Sequence, residues 1–310
     1  MAEYTLRQLE YFVAVADAGS VTGAATAVHL SQSAMSTALA DLERALNVQL
    51  LVRHHARGVT LTPAGEQLLA ASRRLLAQAN ELMGEAQGLG QAVRGTLSVG
   101  CFSVLAPYVL PELHAACAER YPELRLETQE VDLDELAAGV LGGRFELGLG
   151  YALAPDPRLA LRRVFTLPPY VLVPKGHKLA RRSKVRLAQL ADEPFALLDL
   201  PQSRNYFLAM FATAGVEPNI RFRSRSVETL RALVGRGLAY TLLNLQPEVA
   251  TSLDGHPVVS LPVDKGGTPL DVVLVTAAGG RPTRRAASVA ALCAEVLRPP
   301  GARPAKRRHR

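Results

Sequence analysis

The sequence predicts two unlike halves: an all-helical N-terminal part that carries one short hairpin and ends in a long helix, then a two-lobed α/β part. Three observations carry this. Apolar residues recur at helical spacing through residues 1–90, broken only by one β-branched stretch. Leu68, Leu75, Leu82 and Leu89 recur at intervals of seven. From Thr96 onward, short strand-like runs alternate with helical ones. A length of 310 residues suits roughly two domains.

Thr5 and Gln8 form a capping-box pair, and Leu6, Leu9, Phe12, Val13 and Ala16 follow on one helical face until Gly19. Ser20 caps a second helix reaching about Val28, and Ser31 caps a third whose Met35, Leu39, Leu42 and Leu46 form one apolar stripe. Only a tight turn fits at His29-Leu30, and Asn47 is the expected stop. LLVRHHARGVTLT reads as a hairpin, around Leu51 to Arg53 and Val59 to Leu61, turning at Gly58. Thr62-Pro63 then opens a helix whose heptad leucines, shadowed by Leu69, Leu76 and Met83, make a coiled-coil seam and imply a dimer. Gly88, Gly90 and Gly95 loosen the chain after it.

The second half reads as strands at LSVG, LRLETQEV, FELGLGY, YVLVP, FALLDL, IRFRS, AYTLLN and Leu270 to Thr276. Helices are expected at Leu105 to Tyr121, Leu133 to Leu141, Tyr206 to Ala214, Val227 to Val234 and Arg284 to Leu297. This alternation predicts a parallel sheet with crossover helices, and about 200 residues suffice for two lobes with a cleft between them.

A net charge of +7 points to a polyanionic partner, but its distribution tempers the inference. Residues 1–90 carry six Lys/Arg against eight Asp/Glu, whereas residues 298–310 carry six against none. The basicity is therefore a C-terminal tail, rich in Pro and Arg and expected to be disordered. No stretch approaches the ~18 apolar residues of a membrane span, and the N-terminus has no signal-peptide pattern, so a cytoplasmic protein with no membrane association is expected. Cys101, Cys117 and Cys293 are odd in number and far apart, without metal-ligand spacing. Neither metal nor cofactor is expected. Catalytic residues are not expected either: HExxH, GxSxG, a phosphate loop and a dinucleotide glycine fingerprint are all missing from the sequence.

A tight helix pair followed by a hairpin outlines a winged helix-turn-helix, whose third helix enters the major groove while the hairpin touches the flank. Residues 6–69, from LRQL through AATAVHLSQSAMS and ALADLE to LTPAGE, resemble the DNA-binding domain of LysR-type transcriptional regulators. GCFSVLAPYVLPELHAACAERYPELRLE, LPPYVLVPKGHKLA and SVETLRALVGRGLAYTLLN resemble the effector domain of the same family, itself similar to two-lobed periplasmic solute-binding proteins. The resemblance implies a winged domain at 1–62, a dimerisation helix and hinge at 63–91, and an effector domain at 92–297. Lobe one would take 92–163 and 268–297 and lobe two 164–267, leaving 298–310 as the tail. It also implies a homodimer pairing into a homotetramer on one double-stranded operator, with RNA polymerase a further candidate partner.

With the apolar stripe of the third helix turned inward, Ser33, Ser36 and Thr37, with Gln32 at the border, are the expected base and phosphate contacts. The family more often has proline at position 33 and a basic residue at 37, departures that bear on base preference. Arg53 and Arg57 bracket the wing as phosphate or minor-groove contacts. The adjacent His54 and His55 are wing surface, since two neighbouring histidines make no metal site alone.

The effector is expected where strand C-termini and helix N-termini meet the cleft. The positions are Cys101, Phe102, Ser103, Tyr151, Ser203, Arg204, Ser226 and Asn244. Arg204 offers a guanidinium for a carboxylate, so a small organic acid or amino-acid-like effector is expected. Arg221, Arg223 and Arg225 alternate on one strand and read as a solvated or intersubunit face. The rival reading, a cytoplasmic solute-binding protein without a transcriptional role, explains the second half but not the winged one.

Overall fold

The computed structural model describes residues 4–54, 58–86, 93–153 and 156–300, with the backbone alone for 83–86. Arg57, His55, Leu89 and the tail from residue 301 onward lie outside the described residues.

α1 (Leu6–Ala18) begins at the reciprocal Thr5/Gln8 capping box and ends at Gly19, whose φ of 60° needs a residue without Cβ strain. α2 (Val21–Ala27) and α3 (Gln32–Leu46) are capped by the Ser20 and Ser31 hydroxyls. Asn47, in the left-handed region, stops α3. Phe12, Val15, Ala24, Met35, Leu39 and Leu42 close into an apolar core. β1 (Leu51–His54) and β2 (Gly58–Leu61) pair antiparallel with Leu51 opposite Leu61, forming the wing. α4 (Pro63–Ala86) starts where Thr62 Oγ1 accepts the Gly65 amide at 3.0 Å. Its first turns belong to the N-terminal core through Leu69. Leu75 and Leu82, further along the heptad seam, are 40% and 66% exposed.

The second half follows in chain order as β3 (Gly95–Phe102), α5 (Ala106–Arg120), β4 (Leu124–Val131), α6 (Leu133–Leu141), β5 (Leu147–Tyr151) and β6 (Leu159–Leu167). The chain then crosses to a second lobe: β7 (Tyr170–Pro174), β8 (Phe195–Leu198), α7 (Pro201–Thr213), β9 (Ile220–Ser224), α8 (Val227–Gly235), β10 (Thr241–Leu243) and β11 (Val258–Pro262). β12 (Leu270–Ala277) and α9 (Arg284–Val296) return to the first. Lobe one is a five-stranded sheet ordered β4-β3-β5-β12-β6; lobe two holds a β10-β7-β11 sheet and a β8-β9 pair.

The expectation of a parallel sheet is corrected. Among the described strands, β3 pairs parallel with β4 and β5, and β8 with β9. β12 runs antiparallel to β5 and β6, and the β10-β7-β11 sheet is antiparallel throughout. The returning strand enters lobe one from the hinge side, and that direction cannot be read from hydrophobic pattern. β6 stays in the lobe-one sheet to Leu167, past the 163/164 division read from sequence. β11, bracketed by Pro257 and Pro262, pairs with β7 alone, the edge position at which proline is tolerated. α7 begins at Pro201, five residues before Tyr206, because proline at the first helical position needs no amide partner.

Candidate nucleic-acid interface and interlobe cleft

On α3, Met35, Leu39 and Leu42 are buried, so the opposite side of its first turns faces outward. Gln32, Ser33 and Thr37 are exposed and Ser36 is half-buried. Ser33 Oγ lies 3.1 Å from Ser31 Oγ, and the Thr37 hydroxyl donates to the Ser33 carbonyl at 3.0 Å. These short bonds hold both side chains near the amino end of the helix, where unpaired amides and the dipole favour phosphate. Ser33 and Thr37 also line a groove of about 550 Å³ with Arg7, Gln8 and Tyr11 of α1. Those α1 residues were missed from sequence because their helix reads as core. The signal was there: Arg7 and Tyr11 are four apart and share a face beside the Thr5 cap.

In the wing, Arg53 is exposed and stands opposite Val59, and His54 Nε2 lies 2.8 Å from Thr60 Oγ1. Arg53 and α3 thus sit on one small domain; the second wing arginine, Arg57, is outside the described residues.

Between the lobes lies a cavity of about 20 Å³, space for about one water. Tyr151 reaches it from lobe one, and Ser203, Tyr206 and Asn244 from lobe two. Asn244 Nδ2 donates to the Leu167 carbonyl at 3.3 Å and to Tyr206 Oη at 2.8 Å, and Tyr206 donates onward to Thr268 O. Leu167 and Thr268 belong to the two lobe crossings, so this chain of bonds spans the hinge. Asn244 Oδ1 is buried without a partner in the protein. Burial pushes the Tyr151 and Tyr170 phenols up and Tyr206 to about 12, so all three are neutral donors at physiological pH.

Of the eight effector residues expected from sequence, three line this cavity: Tyr151, Ser203 and Asn244. Phe102 stands behind it, edge-on to Tyr151 with ring centroids 5.3 Å apart. Cys101 is buried in the lobe-one core. Ser103 lies in the turn before α5, its amide donating to Val131 O at 2.9 Å. Ser226 is spent as the α8 cap, accepting the Thr229 amide at 3.2 Å. Arg204 donates to Asp199 at 3.1 Å, a carboxylate also approached by Arg223 at 3.7 Å. Arg225, read as part of an outward face, instead reaches toward Asp132 of lobe one at 3.9 Å. Tyr206 was missed. In a helix starting at Pro201, it lies three residues after Ser203 and shares its face.

Residues 6–66 match the family described as "Bacterial regulatory helix-turn-helix protein, lysR family", and residues 90–298 match "LysR substrate binding domain". Among curated proteins the chain is 33% identical to a probable hydrogen peroxide-inducible genes activator of Mycobacterium avium, over 77% of this chain and 77% of that protein. Among solved structures it is similar to HinK, a LysR family transcriptional regulator from Pseudomonas aeruginosa. The TM-score is 0.64 and the identity 33%, over 94% of this chain and 98% of that one. Full-length OxyR C199D from the same organism shares the fold at a TM-score of 0.77 and 24% identity, over 95% of this chain and 98% of that one. The chain belongs to the LysR family of transcriptional regulators.

Proposed function

We propose that the chain acts in the cytoplasm as a homodimer, pairing into a tetramer, that reads one operator through α3 and the wing and changes its grip when a small molecule enters the interlobe cleft. One observation carries the DNA reading: the polar first turns of α3 stand outside a helix whose other side is core, next to an exposed wing arginine. Gln32, Ser33, Ser36 and Thr37 would contact base edges and phosphates, with Arg53 and Arg57 on the flank. The exposed Leu75 and Leu82 seam supports pairing through α4. RNA polymerase is a further partner on this reading.

The orphaned Asn244 Oδ1 supports a ligand that donates a hydrogen bond, and the amino end of α7 beside Ser203 supports one that accepts. A small hydroxy or amino acid satisfies both, without requiring Arg204 to leave Asp199. Space for about one water cannot hold such a molecule, so the lobes must part to admit it. Ligand binding then favours the parted arrangement by its differential affinity for it.

Thiol oxidation is not the trigger on this reading, whatever the names of the relatives. Cys101, Cys117 and Cys293 are all buried, and desolvation raises each thiol, Cys293 to about 12, which disfavours the reactive thiolate. The test is selection of genomic fragments on the full-length protein, with and without pooled organic and amino acids. The expected result is a narrow set of related fragments whose recovery shifts with one pool. Fragments indistinguishable from the input would overturn the reading.

A further inference from the structure

Helix α6 is gripped at both ends. At its amino end, Gln202 Nε2 of α7 donates to Asp134 Oδ1 at 3.0 Å, and Arg225 lies 3.9 Å from Asp132, the residue that caps the helix. Gln202 and Arg225 belong to lobe two and their acceptors to lobe one, so both contacts cross the cleft. At its carboxyl end, Arg73 Nη1 of α4 donates to the Gly142 carbonyl at 2.8 Å, and Arg74 Nη1 reaches the Leu141 carbonyl at 3.5 Å. Last-turn carbonyls lack helical partners and carry the negative end of the dipole, so guanidinium groups fit there.

Arg73 also faces the other way. Its second terminal nitrogen, Nη2, pairs with Asp17 of α1, in the DNA-binding domain. The side chain is 15% exposed, and its planar fork is what allows one residue to hold two acceptors in fixed directions. The packing around it is close. Gly143 has φ 68°, and a Cβ there would stand 3.0 Å from Arg73 Cβ and 3.3 Å from the Ala70 carbonyl.

We propose that α6 is the rod coupling the effector cleft to the DNA-binding domain, with Arg73 as the positioning residue that passes its displacement to α1. The proposal rests on the reading of the interlobe cavity as the effector site. Nine residues give a stiff element of ~13 Å. Parting the lobes pulls on Asp132 and Asp134, and the opposite end of α6 then shifts against α4. Through Asp17 the shift reaches α1, whose core packing with α2 and α3 sets the reading helix.

The test is a double-mutant cycle in the full-length protein with Arg73→Gln and Gln202→Ala. Affinity is measured for a duplex recovered by the genomic selection. Sites this far apart ordinarily act independently, within about twofold. Coupling predicts that the double variant departs from the product of the two single fold-changes by about fivefold or more; closer agreement overturns the proposal. Amide exchange supplies a readout needing no DNA, so failure of the operator reading is told apart from failure of the coupling. Gln202→Ala should speed exchange at residues 70–78, and the increase should be lost in the Arg73→Gln background. An increase that persists there overturns the proposal. Should Arg73→Gln fold poorly, Asp17→Ala cuts only the onward tie to α1, from an exposed side chain. With Gln202→Ala it must give the same departure in DNA affinity while the exchange increase at residues 70–78 persists, and additive affinities there overturn the proposal.

Discussion

The amide of Val59 in the wing donates to the carbonyl of Gly19 at 2.9 Å, fastening the hairpin to the corner between α1 and α2. Gly58, one residue earlier, has φ 84°, and a Cβ there would lie 2.4 Å from the same carbonyl. Gly58→Ala should therefore cost about 1–3 kcal/mol from backbone strain alone and should weaken DNA binding by lifting Arg53 out of place. Denaturant unfolding and a binding titration check the two effects; an unchanged midpoint and affinity would show that the wing is not held by this corner.

At the cleft, Tyr206→Phe removes the acceptor for Asn244 Nδ2 and the donor to Thr268 O. The loss should be about 1 kcal/mol, a fall of ~2–4 °C in the melting temperature of a region this size. It should also change the concentration of acid ligand needed for thermal stabilisation, because the bond chain crosses the hinge. A shift in melting temperature with an unchanged ligand midpoint would confine Tyr206 to a structural role.

The thiols should be inert. Burial raises the Cys101, Cys117 and Cys293 pKa values in the folded state, so the thiolate fraction at pH 7 is negligible until the chain unfolds. Millimolar peroxide or iodoacetamide should leave all three cysteines unmodified in the native protein, read by peptide mass mapping, and modify them in denaturant. Modification of a native cysteine together with altered DNA affinity would restore a redox trigger.

Leu75 and Leu82 are exposed on α4 in the single chain. Leu75→Asp with Leu82→Asp places like charges along the seam and should convert the dimer to monomer in sedimentation equilibrium. Retention of the dimer would move the interface off this helix.

Much of this was legible in the residues, and the exceptions have physical reasons. Thr5, Ser20, Ser31 and Asn47 cap or stop helices as read, because a cap is a local bond between near neighbours. The strands at 124–131, 170–174 and 220–224 also fall where the pattern put them. Strand direction did not, because antiparallel return through the hinge leaves no trace in hydrophobic alternation. The cleft was legible only in part. Tyr151, Ser203 and Asn244, singled out by their places at element ends, line the interlobe cavity, while Ser226 and Arg204 have local partners that sequence spacing cannot weigh. Tyr206 was hidden because the start of α7 was placed too late. Arg73 was hidden because its partners Asp17 and Gly142 lie 56 and 69 residues away.

The central claim is sequence-specific binding by a domain whose net charge is negative, which requires placed side chains rather than bulk attraction. The direct measurement is the dissociation constant for a selected duplex and for the same duplex shuffled, at one fixed physiological salt concentration. It is made for the wild type and for Ser33→Ala with Thr37→Ala. The account predicts a wild-type ratio of about 10³ or more, and a sharp fall in that ratio in the variant while the shuffled duplex binds as before. A ratio near one in the wild type, or equal losses on both duplexes in the variant, would contradict it.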